Sequence, residues 1–174
     1  MPINKFAFFQ DGLRPEQRKR DEFATYTHLN DERYWVPYGE GAWFQACFFD
    51  VTNGGFANVL RIRPGSRLNP HYHVSTVHGW TIQGTWYYEE HKDKWIAHAG
   101  TYIFEPPGEM HTLVVPQESE KDMITFFSLS GGLIYVNEDG SFNSYDDGFT
   151  LLEMARRHYR ETGLDCSELD AMIR

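Results

Sequence analysis

NPHYHVSTVHGWTIQG, residues 69–84, places three histidines within eight positions and closes on a glycine. Residues two apart on a strand face the same side, so His71 and His73 point together while Tyr72 looks away. His78 opens the next apolar run, and a fold-back of the short VSTV connection would bring its ring beside the pair. A fourth histidine, His111, follows the turn EPPGEMH and opens HTLVV, a strand setting that turns it toward the same interior. Converging imidazoles hold a divalent ion and leave coordination positions for a substrate, and imidazole suits iron, zinc, copper and nickel alike. His28, His91, His98 and His158 stand outside this spacing and read as ordinary polar residues.

The text around these histidines is β-rich. From about residue 34 to 136, short aromatic and β-branched runs alternate with turn signals at Asn53-Gly54-Gly55, Pro64-Gly65, Gly84, Lys92-Asp93, Gly100, Pro106-Pro107-Gly108 and Gly131-Gly132, the punctuation of a sandwich or barrel. FANVLRIRPG ends a strand at a turn, VHGWTIQGTWYYEE reads as a hairpin pivoting near Gly84, and DMITFFSLSGGLIYV as another strand pair. In FTLLEMARRHYRETG the period changes. Leu151, Leu152, Ala155, His158 and Tyr159 recur at helical spacing, and Gly163 supplies a stop. The expectation is an all-β barrel over 34–136, an N-terminal arm over 1–33 and a C-terminal helical extension over 137–174.

Composition bounds the partners. A chain of 174 residues is one domain, and it buries roughly 70% of its extended surface without needing a structural metal or disulfide. A metal would therefore serve chemistry or regulation. Sixteen basic against 25 acidic residues leave a formal charge of −9, which argues against nucleic acid and membrane surfaces. Arg14, Arg18, Lys19 and Arg20 are interleaved with Glu16, Asp21 and Glu22 and read as a solvated arm or short helix. There is no signal-peptide pattern and no run long enough to span a bilayer, which points to the cytosol. Cys47 and Cys166 offer neither a disulfide framework nor a paired-cysteine metal motif.

The histidine spacings resemble those of a single-domain cupin. In the first cupin motif, glycine and five residues precede His-x-His, followed by an acid and a closing glycine. Gly65, His71, His73 and Gly84 match it, with the closing glycine one residue early. The second motif is matched by Gly100, Pro106, Gly108 and His111. Two positions depart: His78 stands where the family has glutamate, and Val115 where it has asparagine. Within cupins, the histidine replacing the acid, the GWTIQGTWYY run and the C-terminal extension resemble small dioxygenases that cleave dihydroxyacetophenones, and their relatives acting on β-diketones. That resemblance implies a jelly-roll barrel and non-heme iron(II) held by His71, His73 and His111, with His78 as a fourth ligand or a supporting residue.

An all-imidazole shell leaves the ion its full double charge, which favours capture of a substrate as an enolate or enediolate. The chelated, electron-rich substrate can then reduce dioxygen, breaking the bond between its two oxygenated carbons. The expected activity is oxidative C–C cleavage of an α-hydroxyketone or β-dicarbonyl compound, with iron(II) as cofactor and zinc, manganese or nickel as alternatives. Trp80, Ile82, Trp86 and Tyr88 line an aromatic pocket if their strands keep parity with His78. Arg61 and Arg63 lead toward the site and could hold a carboxylate or phenolate. Glu105 and Glu109, flanking the second motif's turn, are candidate bases for enolisation.

Two other classes use the same ligands. One is a non-redox isomerase or hydrolase carrying zinc, manganese or nickel. The other is a sensor module like the cupin of zinc-dependent anti-sigma factors, in which four donors saturate the ion. The arm is too short for the partner-binding helical domain of such sensors. The NKFAFF stretch could add a strand to a neighbour, and a homodimer or homotetramer is expected.

Overall fold

The computed structural model describes residues 22–174. The NKFAFF stretch and the Arg14–Arg20 basic cluster lie outside the described residues. In chain order the strands are β1 (Val36–Gly39), β2 (Ala42–Phe49), β3 (Phe56–Ile62), β4 (His71–His73), β5 (Val77–Gln83), β6 (Thr85–Tyr88), β7 (Ala97–His98), β8 (Tyr102–Glu105), β9 (Met110–His111), β10 (Leu113–Val114), β11 (Met123–Leu129), β12 (Leu133–Val136) and β13 (Phe142–Asp146). Two helices follow, α1 (Gly148–Thr162) and α2 (Ser167–Asp170).

The strands form a six-stranded sheet in the order β1-β2-β3-β11-β5-β8, a three-stranded sheet β10-β6-β7 and a four-stranded sheet β13-β12-β4-β9. All the strand pairs are antiparallel. This is a jelly-roll of facing sheets rather than one closed barrel, and at several points consecutive strands change sheet. The two expected hairpins are such crossings. β5 pairs with β11 and β8, whereas β6 pairs with β7 and β10, and the chain passes between the sheets at Gly84. Only glycine fits there. Its φ is +79°, and an added Cβ would lie 2.6 Å from the Asp122 carbonyl oxygen, so a side chain would meet both backbone strain and a clash. Likewise β11 and β12, on either side of Gly131-Gly132, belong to different sheets.

The alternation of each strand decides what is inside. On β3, Phe56, Asn58, Leu60 and Ile62 face the main core, and on β5 Val77, Gly79 and Thr81 do, while His78, Trp80 and Ile82 face out. A smaller cluster of Trp35, Val59 and Ile124 covers part of the outer face of the large sheet. The C-terminal segment opens with β13 before it becomes helical, so a strand belongs to the extension read as helical from sequence. Helix α1 starts at Asp147, whose carboxylate accepts from the Phe149 and Thr150 amides while the Thr150 hydroxyl accepts from the Asp147 amide, a reciprocal cap. It ends at Gly163 with φ +71° and buries Leu151, Leu152, Ala155 and Tyr159 against β1 and β2, each worth about 1.5–3 kcal/mol for the large side chains. His158 faces away from that core, its Nε2 2.8 Å from the Arg33 carbonyl. Neither helix is long and apolar enough to cross a membrane.

Candidate metal centre

His71 and His73 point inward from the three-residue strand β4, and Tyr72 between them is only half-buried. β9 pairs with β4 so that His111 lies directly opposite His71. Cross-strand neighbours of this kind bring side chains within contact range. All three rings are buried, their centroids are 4.8–5.2 Å apart, and one donor atom from each falls within 4.8 Å of the others.

Orientation follows from the neighbours. The Asn69 carbonyl, 2.8 Å from His71 Nδ1, can only accept, so the proton sits on Nδ1 and the Nε2 lone pair is free. His111 stacks on the Tyr88 ring, with centroids 3.8 Å apart and planes 8° from parallel. The next residue, Thr112, donates its amide and hydroxyl to the two oxygens of Glu90, which pins the end of β9. Burial, and then the neighbouring histidine His73, push the His71 pKa down to about 4. Burial, with His71 and His73 beside it, takes His111 to about 2. Both rings are therefore neutral at ordinary pH, the form that ligates a metal.

Glu105, the last residue of β8, is buried at 4% exposure beside the triad. Its Oε2 lies 3.1 Å from His73 Nε2 and 3.5 Å from His111 Nε2. Tyr88 donates to its Oε1 at 2.6 Å, and burial keeps that phenol's pKa well above its usual value, so the proton stays on the tyrosine. Glu105 Oε2, His73 Nδ1 and His111 Nε2 are buried without a hydrogen-bond partner. Unpaired polar atoms of this kind are costly in a dry interior, and the three converging imidazoles, with Glu105 against two of them, fit a divalent cation.

Other expected site residues lie elsewhere. His78 is exposed on the outer face of β5, its Nδ1 2.8 Å from the Tyr102 hydroxyl and its ring 5.7 Å from Phe104. The VSTV connection returns the chain one position out of step with β4, so His78 does not join the triad. Trp80 and Ile82 share its parity and are 52% and 43% exposed. Trp86 faces in but is sealed in the core, donating from Nε1 to the Thr81 hydroxyl at 3.0 Å. Arg61 also faces outward. Its guanidinium lies 4.4 Å and 4.7 Å from the Trp35 and Trp43 rings and pairs with both oxygens of Glu32 at 2.8 Å. Arg63 is exposed near Glu40, and Glu109 is exposed with His91 at 2.8 Å.

Beside the triad a cavity of about 40 Å³ opens between the large sheet and the four-stranded sheet. Phe56, Leu60, Leu68, Val77, Leu113, Phe127, Leu129 and Leu133 wall it, and Asn58, Tyr38, Tyr88 and Tyr135 add polar atoms. Phe127 reaches over Gly79, where an added Cβ would come within 2.9 Å of its ring. At one side the Tyr38 hydroxyl bonds to that of Tyr135 at 2.7 Å and donates to Asp146 at 3.0 Å. These two tyrosines and Asn58 were not singled out from sequence. For Asn58 the available signal was a polar residue in the inward register of FANVLRI.

Residues 24–133 match the ChrR cupin-like domain. The chain belongs to that cupin family. A protein of unknown function with a cupin-like fold from Ralstonia eutropha JMP134 is 32% identical, with 71% of this chain and 75% of that one covered and a TM-score of 0.68. An RmlC-like cupin from the same organism is 26% identical over 75% of this chain and 82% of the other, with a TM-score of 0.69. The acetylacetone dioxygenase of Acinetobacter johnsonii shares the cupin fold at 15% identity, with 81% and 97% covered and a TM-score of 0.67. No curated protein matches the chain.

Proposed function

We propose that this cupin is a metal-dependent dioxygenase that cleaves a C–C bond in an α-hydroxyketone or β-dicarbonyl compound, with iron(II) held by His71, His73 and His111. The observation that carries the reading is the convergence of the His71, His73 and His111 donors, with Glu105 against two of them, beside an apolar cavity. Iron bound there would supply the positive charge that holds an enolate through two oxygens and the redox chemistry for dioxygen.

The chain's own groups supply the rest. Tyr88 anchors Oε1 of Glu105, leaving Oε2 to take the proton from the carbon next to the carbonyl. The phenol, stacked on His111, fixes that carboxylate's direction. The apolar walls exclude water, which strengthens every charge interaction inside. For an α-hydroxyketone the balance is one substrate and one dioxygen to two carboxylic acids, the two oxygen atoms divided between them. The fold shared with an acetylacetone dioxygenase supports this reading at the level of architecture.

The short distances from Glu105 to His73 and His111 favour a second reading, in which Glu105 completes a closed four-donor set around zinc and the protein is a metal-binding sensor or a non-redox enzyme. Elemental analysis of protein purified without added metal, followed by oxygen-electrode traces of ferrous-loaded protein with a panel of such ketones, separates the two. Oxygen uptake matched by two acids from an α-hydroxyketone, or by one acid and one 1,2-dicarbonyl from a β-dicarbonyl, is the expected result. A zinc-only protein with no uptake on any ketone overturns the dioxygenase.

A further inference from the structure

The wall facing the histidines carries one buried amide with an unsatisfied end. Asn58 is 7% exposed, points into the cavity between Phe56 and Leu60, and its Oδ1 has no hydrogen-bond partner. A buried side-chain amide left unpaired is disfavoured, so its retention in an otherwise apolar run calls for a partner that arrives from outside the chain. The strand register shows where that partner would sit. Asn58 lies opposite Phe127, and Phe127 opposite Gly79. Gly79 has no side chain, and the Phe127 ring fills the room it leaves. His71 and His73 line the same cavity as Asn58 from a different sheet, and facing sheets stand roughly 10 Å apart. A ligand held on the triad therefore extends toward the amide.

We propose that Asn58 reads the end of the ligand remote from the metal. Resting on the dioxygenase reading above, the substrate class narrows to a short aliphatic α-hydroxyketone or β-dicarbonyl with a further hydroxyl beyond the two oxygens that chelate. That hydroxyl donates to Oδ1, the acceptor left unpaired. Size points the same way. The free volume is about 40 Å³, so a guest of few heavy atoms needs less displacement of the walls than an aryl ketone does.

The test is calorimetric titration of ferrous-loaded protein under nitrogen with hydroxyacetone, dihydroxyacetone and α-hydroxyacetophenone. The first two differ only in the third oxygen. Dihydroxyacetone is expected to bind about tenfold more tightly than hydroxyacetone, the worth of one buried hydrogen bond, and the aryl compound most weakly. Asn58→Leu is nearly isosteric and removes an unpaired polar group, so it should melt no lower than the parent and should erase the preference. Equal affinities for the two aliphatic ketones, an unchanged ratio in Asn58→Leu as expected if water alone satisfies the amide, or tightest binding of the aryl ketone would each overturn the inference and leave the dioxygenase reading standing. Binding of none of the three, with no oxygen uptake on any ketone, would instead remove the dioxygenase reading itself.

Discussion

The two faces of the large sheet spend similar side chains on opposite ends. On the inner side Tyr88, His111 and Glu105 interlock in a buried layer. On the outer side His78 bonds to Tyr102 and lies against Phe104, all in solvent. The chemistry of the residues is nearly the same, and what differs is strand parity. Burial strips His71 and His111 of their protons and leaves lone pairs for a cation, whereas the exposed His78 bonds to Tyr102 at the surface.

The comparison breaks most visibly at the histidines. His71→Ala or His111→Ala should lower metal affinity by more than about 100-fold, since even losing a supporting partner of a ligand costs about 10–100-fold. His78→Ala should keep full stoichiometry, and elemental analysis of the three variants checks both. Glu105→Gln keeps the shape and the Tyr88 contact but loses the base, so turnover should fall by about 10²–10⁴-fold with metal content retained, read from oxygen uptake and metal assay on the same samples. Two tryptophans sharpen the contrast in packing. Trp86→Ala should cost about 3–5 kcal/mol in denaturant unfolding, and Trp80→Ala, on the exposed face, within about 0.5 kcal/mol.

Acid acts through the same burial. The fold holds His71 near a pKa of about 4, below its usual 6.5, so between those values the unfolded chain binds the extra proton. Stability of the metal-free protein is then full above pH 6.5 and declines as the pH falls toward 4, by up to ~3 kcal/mol. Thermal melts across that window test the sign, and a melting temperature that rises on acidification would contradict it.

Much of the fold was legible in the turn signals and the switch to helical spacing at Leu151, because those patterns are local. The His-x-His pair and His111 were legible because motif spacing encodes strand and turn lengths together. His78 was misplaced because parity across the VSTV connection depends on how many residues the turn consumes, and composition does not record that. Trp80 and Ile82 inherited the error. Gly84 and Gly131-Gly132 read as hairpin pivots because a tight reversal and a step between facing sheets call for the same residue. Glu105, marked as a base, was expected in an open turn, yet it closes β8 inside the core. Arg61, read as a ligand-binding cation, is held by tryptophans and Glu32 that are remote from it in the chain. Asn58 was overlooked because one amide in an apolar strand announces itself only when its neighbours are known.

Phe127 leans into room that exists because residue 79 ends at its α-carbon. A methyl placed there would press on the ring from behind and shift the floor of the chamber. How large a guest is admitted is thus adjustable from a position that no guest touches, and a change in selectivity at residue 79 would leave every donor atom where it was.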